Sequence, residues 1–372
     1  MRSWVEIQAE YLRANYKVFT SLDGSYDLAV VLKSNAYGHG LKECYQAIES
    51  ENPKWLCVAY LDEAAQLRSL GYKEQILLVA PVAREEFEQA FQLSVDIFLT
   101  HQQLVDEWVA CKQRPRAHVK FDTGLSRQGF ATSDATKLVK QLAPVKQDLV
   151  GICTHFANVE DVTNHEYANQ QLASFGVVKK SFKDAGFSVL EHASSSASSL
   201  LLTQSRLDMC RVGISFYGFW PSAATRLSYL NLHSHVPDLK PALSWKSPIA
   251  MIKDVSKGAY VGYGCTFRAV SDMKIAVLPV GYYDGYPRLA SNRAYVLIRG
   301  QRCPVVGRIS MNLMVVDVSH VDAVERSDIV TLIGTDGSEV LPAEDLAEWA
   351  ETIHYEVVTQ IHSDIPRVLV DN

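Results

Sequence analysis

Eight short apolar runs recur through the first 220 residues, and helix-like stretches separate them. The runs are Leu28–Leu32, Trp55–Tyr60, Ile76–Ala80, Val95–Leu99, Ala117–Phe121, Leu149–His155, Val189–Ser194 and Met209–Tyr217. Their continuous apolar character suits strands buried on both faces, as in a parallel sheet. Amphipathic segments such as Asp62–Leu70, Arg84–Phe91 and Gln102–Cys111 lie between them. Eight strands alternating with helices predict a closed (β/α)8 TIM barrel, placing the chain in the α/β class.

After about Arg226 the rhythm changes. A polar segment with Pro237 and Pro241 reads as a linker. Strand-like runs then follow at Ile249–Val255, Lys274–Val280, Tyr295–Arg299, Met314–Val318 and Asp328–Ile333, with one helix near Ala343–Ala350. The expected division is a barrel over 1–232 and a mainly β domain over 233–372.

A barrel makes a demand of its own, because reactive residues gather at the C-terminal ends of its strands. Lys33 closes the first run, Arg127 follows the fifth, His155 ends the sixth, Ser195 and Ser196 follow the seventh, and Arg211 lies in the eighth. An ammonium at the end of a buried strand is awkward for folding. It is well placed for carbonyl chemistry, since partial desolvation weakens its preference for the charged form.

Composition narrows the function classes. A net charge of -6 with mixed signs gives no support for binding nucleic acid or a membrane surface. The opening residues show no apolar signal core, and no stretch approaches membrane-spanning length. The seven cysteines are scattered, odd in number and free of any C-x-x-C pair. They read as reduced thiols of a cytoplasmic protein, with neither a disulfide frame nor a metal site.

The segment Ala29-Val-Val-Leu-Lys33-Ser-Asn-Ala-Tyr-Gly-His-Gly40 closely resembles the pyridoxal-phosphate lysine segment of alanine racemases. The resemblance extends along nearly the whole chain. Trp4-Val-Glu-Ile7, Lys120-Phe-Asp-Thr-Gly-Leu-Ser-Arg127-Gln-Gly-Phe, Thr154-His155-Phe-Ala and Asp208-Met-Cys-Arg211-Val-Gly-Ile-Ser-Phe-Tyr-Gly carry it first. Val261-Gly-Tyr263-Gly-Cys-Thr, Gly281-Tyr282-Tyr-Asp-Gly-Tyr, Gly307-Arg-Ile-Ser-Met311 and Tyr355-Glu356 continue it in the same order.

What the resemblance implies is a two-base racemisation of alanine with pyridoxal 5′-phosphate. Lys33 would hold the cofactor and, once released, act as one acid/base, with Tyr263 as the other on the opposite face of the α-carbon. Inversion needs a proton removed on one face and delivered on the other. Free lysine and tyrosine both have pKa values near ~10, so each must be tuned toward neutrality. Arg211 would face the ring nitrogen and disfavour its protonation, and His155 would link Arg211 to Tyr263. Tyr37, Ser196, Tyr355 and the backbone at Gly213 and Ile214 would bind the phosphate, with Ser195 near the cofactor ring. Arg127 and the backbone N–H of Met311 would hold the substrate carboxylate, and Tyr282 would line the entrance. Lys120 matches a lysine that some members carry as a carbamate. Tyr263 and Met311 would come from a partner subunit, so a homodimer is expected. Supply of D-alanine for peptidoglycan is the implied role.

Two positions depart from the pattern. Ser195 stands where asparagine is common, and Asn312 follows Met311 where aspartate is usual. A racemase of broader specificity, acting on serine or basic amino acids, therefore stays open. A pyridoxal-phosphate decarboxylase of similar architecture would show an acid at the ring nitrogen and a glycine-rich phosphate loop. Here Arg211 stands at that place and 192–199 contains no glycine. A non-catalytic cofactor-binding protein built on the barrel alone would need neither the second domain nor Tyr263.

Overall fold

Each of the eight apolar runs forms a strand in the computed structural model, which describes residues 2–371. The barrel strands are Asp27–Val31, Trp55–Val58, Gln75–Leu78, Val95–Leu99, Ala117–Asp122, Leu149–Cys153, Leu190–His192 and Met209–Val212. In the first strand, the four residues after Asp27 are all buried. Each buried valine or leucine contributes about 1.5–3 kcal/mol by leaving water, which makes the apolar runs the natural interior.

Pairing is parallel throughout, in the spatial order eight, one, two, three, four, five, six, seven. The remaining seam, between strands seven and eight, has no regular ladder. Single backbone bonds cross it instead, from Asp208 N–H to Glu191 O (3.0 Å) and from Arg211 N–H to Ser194 O (3.2 Å). The Asp208 carboxylate adds a third by accepting the Glu191 N–H at 2.8 Å. Outer helices turn an apolar stripe to the sheet. In Ala135–Leu142 the buried residues are Ala135, Leu138, Val139 and Leu142, the spacing of one helical face. The stretch expected to begin a linker after Arg226 instead continues a helix, Ala223–Leu232, capped where Ser222 Oγ accepts the Thr225 N–H.

The chain divides into two compact units, and the division is not a single cut between 232 and 233. The barrel unit comprises 11–34 and 45–240, whereas 2–10, 35–44 and 241–371 form the second unit. Trp4–Gln8 is a strand of the second unit's main sheet, antiparallel to Leu243–Pro248 and parallel to Arg367–Val370. Its alternating burial, with Val5 and Ile7 fully buried, marks a strand of that sheet. Its partners lie more than two hundred residues away, beyond any local pattern. That sheet runs in the order Gln301–Pro304, Tyr295–Ile298, Ile329–Asp336, Leu243–Pro248, Trp4–Gln8, Arg367–Val370, with Glu339–Leu341 beside Ile329–Asp336. A three-stranded sheet of Met251–Val255, Met273–Leu278 and Met314–Asp317 and a short ribbon of Tyr260–Val261 with Phe267–Arg268 complete the β structure. Helices Ala343–Trp349 and His354–Gln360 follow.

The chain leaves the barrel at Lys33 through a left-handed turn. Ser34, Asn35, Ala36 and Tyr37 have φ of 57°, 52°, 53° and 52°. Left-handed helix costs about 1–2 kcal/mol per L-residue, so neighbours must hold it. Asn35 anchors it from both main chain and side chain, accepting the N–H of Gly40 (3.0 Å) on its carbonyl and that of Leu41 (2.9 Å) on Oδ1. The Arg367 guanidinium donates twice to Gly38 O, at 3.0 and 2.9 Å. A Cβ at Gly38 would stand 1.9 Å from Val358 O, so the segment packs against Val358 as only glycine can. Strain of this kind persists where the surroundings over-determine it, and here it directly follows the site lysine.

Candidate active site

The barrel brings Lys33, Lys120, Arg127, His155, Ser195, Ser196, Arg211, Gly213 and Ile214 to the C-terminal ends of its strands. Lys33 is half-buried, and burial first, then the Arg127 guanidinium, lower its pKa from the usual ammonium value. Lys120, on the fifth strand, is buried with its ammonium 5.4 Å from the centre of the Phe98 ring. Burial, joined by the Arg211 and Arg127 charges, brings its pKa down to about 8.

Arg127 sits on a loop that Asp122 organises. One Asp122 oxygen accepts the N–H groups of Gly124, Leu125 and Ser126 at 2.8–3.1 Å, and the other accepts that of Arg127 at 3.1 Å. Burial alone would raise this carboxyl's pKa, but the four N–H donors bring it below the usual value. A cavity there is lined by Arg127, His155, Ser195 and the loop 156–161.

Arg211 points from the eighth strand and is 8% exposed. Its guanidinium donates to Thr154 O (2.9 Å), Ala193 O (3.3 Å), His155 Nδ1 (3.3 Å) and His192 Nδ1. These partners are imidazoles and carbonyls, and among the described residues no carboxylate lies against the guanidinium. Burial, with the Arg211, Lys120, Arg127 and Lys33 charges, holds His155 well below its ordinary pKa, in the neutral form. Its Nδ1 then accepts from Arg211 and its Nε2 carries the proton.

The turn after strand eight collects donors. Ser196 Oγ accepts the N–H of Gly213 at 3.1 Å and of Ser215 at 3.4 Å, where the short helix Ile214–Tyr217 begins. Ser215 Oγ, fully buried, has no hydrogen-bond partner among the described residues. The Ser196 and Ser215 hydroxyls at this turn, beside the start of the short helix, are groups that would suit a phosphate dianion. Pyridoxal phosphate would be compatible with these residues: the serine hydroxyls at the turn would suit its phosphate, and Lys33 would supply the amine for an imine.

The second unit carries the other expected residues. Tyr263 is 71% exposed, next to the Tyr260–Val261 ribbon, between Gly262 and Gly264, which have φ of 73° and 72°. A Cβ on Gly264 would come within 2.6 Å of Arg308 Nη1, so the ribbon lies close over that arginine. Met311 and Tyr282 are exposed as well, and the chain near them is joined by Tyr282 N–H to Ser310 O (3.1 Å) and Tyr283 N–H to Met311 O (2.9 Å). Tyr37 and Tyr355 stand with ring centres 6.4 Å apart.

Sequence reasoning passed over Asp122, although it stands inside the quoted Lys120–Arg127 motif. It also passed over His118, His192 and Asp96, whose signal was available: charged or polar residues inside runs otherwise apolar enough to be barrel interior.

Two family models match the chain, the alanine racemase N-terminal domain over residues 7–221 and the alanine racemase C-terminal domain over 242–369. An alanine racemase of Leptospira interrogans is 37% identical over 99% of this chain and 96% of its own length. That of Desulforamulus reducens is 34% identical over 99% and 98%. Among solved structures, alanine racemase from Bacillus anthracis with bound L-Ala-P superposes with a TM-score of 0.91 at 29% identity, covering 100% of this chain and 96% of that one. The biosynthetic alanine racemase of Pseudomonas aeruginosa gives 0.86 at 28% identity, with 100% and 99% covered. With both domain models matched in order and relatives aligned end to end, the chain belongs to the alanine racemase family.

Proposed function

We infer that this chain interconverts L- and D-alanine with pyridoxal phosphate as cofactor. The observation that carries the reading is the pairing of a desolvated lysine closing the first barrel strand with a buried arginine that meets no carboxylate among the described residues. When bound, the cofactor supplies an electron-accepting ring that acidifies the α C–H of the substrate. Lys33, shifted toward its neutral form, serves as the tether and as the acid/base on one face of the α-carbon. Arg211 presents only donors and a fixed positive charge to the ring nitrogen, which disfavours protonation there and limits delocalisation into the ring. That restraint favours return of the proton to the α-carbon over transamination.

Tyr263 of the partner subunit is the second acid/base, and Met311 of the partner subunit holds the substrate carboxylate together with Arg127. The exposure of both residues in the single chain supports a homodimer with composite sites. Phosphate binding falls to Ser196 and the Gly213 and Ile214 backbone, with Tyr37 and Tyr355 assigned to the same role by resemblance, and Tyr282 to the entrance. The seven free thiols suit a reducing cytoplasm, and D-alanine for peptidoglycan is the product's proposed use. Among the described residues no helix is long and apolar enough to cross a membrane.

Lys120 is proposed to carry a carbamate. With a pKa of about 8, roughly a tenth of the amine is neutral at pH 7 and able to add carbon dioxide with loss of one proton. The anion formed would pair with the Arg127 charge. A carbon-13 resonance from labelled bicarbonate that disappears in Lys120→Ala is expected; no such resonance in the parent protein refutes the modification.

The activity is tested by chiral chromatography of L-alanine, L-serine, L-lysine and L-arginine incubated with protein and cofactor. A strong preference for alanine, ending in equal enantiomers, supports the reading and makes Ser195 and Asn312 tolerated variations. Similar rates on the larger substrates would reassign the chain as a broad-specificity racemase, and no racemisation of any would refute it.

A further inference from the structure

A column of polar side chains runs through the barrel interior below Arg211. Such interiors are ordinarily filled by layers of branched aliphatics, and a buried polar group is costly unless fully bonded. Here Asp96, His118 and His192 come from strands four, five and seven and are 1%, 0% and 0% exposed. Arg211 donates to His192 Nδ1, His192 Nε2 lies 2.9 Å from His118 Nδ1, and His118 Nε2 lies 3.4 Å from Asp96 Oδ2. Arg116 closes the column with Nε at 2.8 Å from Asp96 Oδ1 and Nη2 at 2.9 Å from Oδ2. Its half-exposed side chain marks the end of the barrel opposite the site.

The two ends fix the direction of every bond between them. Arg211 can only donate, so His192 Nδ1 must accept. Burial, then the Arg211 charge, hold His192 well below its ordinary pKa, so the ring is neutral and its one proton is on Nε2. That proton goes to His118 Nδ1, which leaves His118 Nε2–H to donate to a carboxylate that can only accept. Packing holds the two rings in these orientations. They meet at 85° with centres 5.0 Å apart, His192 stacks on Phe98, and Trp55 stands edge-on to His118. At Gly151 a Cβ would come 2.1 Å from His118 Nδ1, so the sixth strand leaves the space the ring occupies.

We propose that Asp96, His118 and His192 are a positioning relay that fixes His192 as a hydrogen-bond acceptor and thereby aims the Arg211 guanidinium. The carboxylate is kept two imidazoles away from the arginine. It orders the guanidinium through tautomers without lying against it and cancelling the charge the site uses. The role of Arg211 at the ring nitrogen rests on the reading under Proposed function; the tautomers do not.

Nitrogen-15 histidine labelling of the cofactor-loaded protein, read by long-range proton–nitrogen correlation near pH 7.5, tests the relay. Both His118 and His192 are expected with Nε2 protonated and Nδ1 bare. In Asp96→Asn, Arg116 holds the amide oxygen and the amide NH₂ turns to His118, which must then accept at Nε2. The inversion passes along the column, so both rings should move their proton to Nδ1 and His192 should lose its bond to Arg211. Where the chain racemises alanine, kcat should fall about 10–100-fold with little change in KM, the size of effect that loss of an orienting hydrogen-bond partner has on a functional group. A merely structural column would lower stability and leave the tautomers in place. The relay is overturned if His192 in the parent protein carries its proton on Nδ1 or is doubly protonated. It is overturned equally if folded Asp96→Asn keeps the parent tautomers. If the substitution prevents folding, the parent spectrum decides. Absence of racemisation alongside the expected tautomers would refute the functional reading and still support the relay.

Discussion

Lys33→Ala should lose racemisation in both directions together with the visible absorbance of lysine-bound cofactor. A positioned acid/base contributes about 10²–10⁴-fold, and this lysine is also the proposed tether of the cofactor, so a fall of at least about a thousandfold is expected. The fold should be indifferent to the change. Lys33 is half-buried at a strand end, its pKa is lowered chiefly by desolvation, and its removal relieves that unfavourable burial. The midpoint of thermal unfolding without cofactor should therefore stay the same or rise slightly. The left-handed turn that follows is held by Asn35, Arg367 and the close packing at Gly38, none of which uses the lysine side chain. Steady-state assays from both enantiomers, an absorbance spectrum and a melting curve separate the outcomes. Retention of a tenth or more of the parent rate would remove Lys33 from the chemistry, whereas a collapsed melting temperature would make the lysine structural.

Much of this site could be read from residues in a row, because burial writes a local signature. The eight barrel runs are apolar on both faces, so each is recognisable without knowing its neighbours, and strand ends then locate Lys33, His155 and Ser196. Trp4–Gln8 is different: its alternation shows a strand, but its partners at Leu243–Pro248 and Arg367–Val370 are set by pairing across the whole chain. The left-handed turn was half-legible. Gly38 and Gly40 announce positive φ, yet nothing in Ser34-Asn35-Ala36-Tyr37 does, since the conformation is imposed by contacts made far along the chain. His118 and His192 stood visibly inside apolar runs, but a histidine in a core is ordinarily satisfied locally. Only the geometry shows that they bond to each other and end on Asp96. Tyr263 and Met311 are proposed through resemblance alone, because an exposed tyrosine and methionine carry no signal of burial or period.

Tyr263→Phe is the substitution that separates the two bases. Tyr263 is 71% exposed in the single chain and its ring is retained, so neither fold nor cofactor loading should change. Net racemisation should fall by about 10²–10⁴-fold, the usual contribution of one acid/base group. The fall must be equal in both directions when expressed as kcat/KM, because enantiomers have an equilibrium constant of unity and no substitution can alter it. Rates of inversion therefore cannot show which face lost its base. Exchange of the α-hydrogen with deuterium oxide can. With Lys33 intact, one enantiomer should still lose its α-hydrogen to solvent and regain deuterium on the same face with retention. The other enantiomer, whose α C–H points to the missing phenol, should neither exchange nor invert. Proton NMR of each pure enantiomer in deuterium oxide reads this directly. Equal loss of exchange from both would make Tyr263 a general positioning group. Unchanged exchange from both, with inversion at the parent rate, would mean that the second proton donor is another residue.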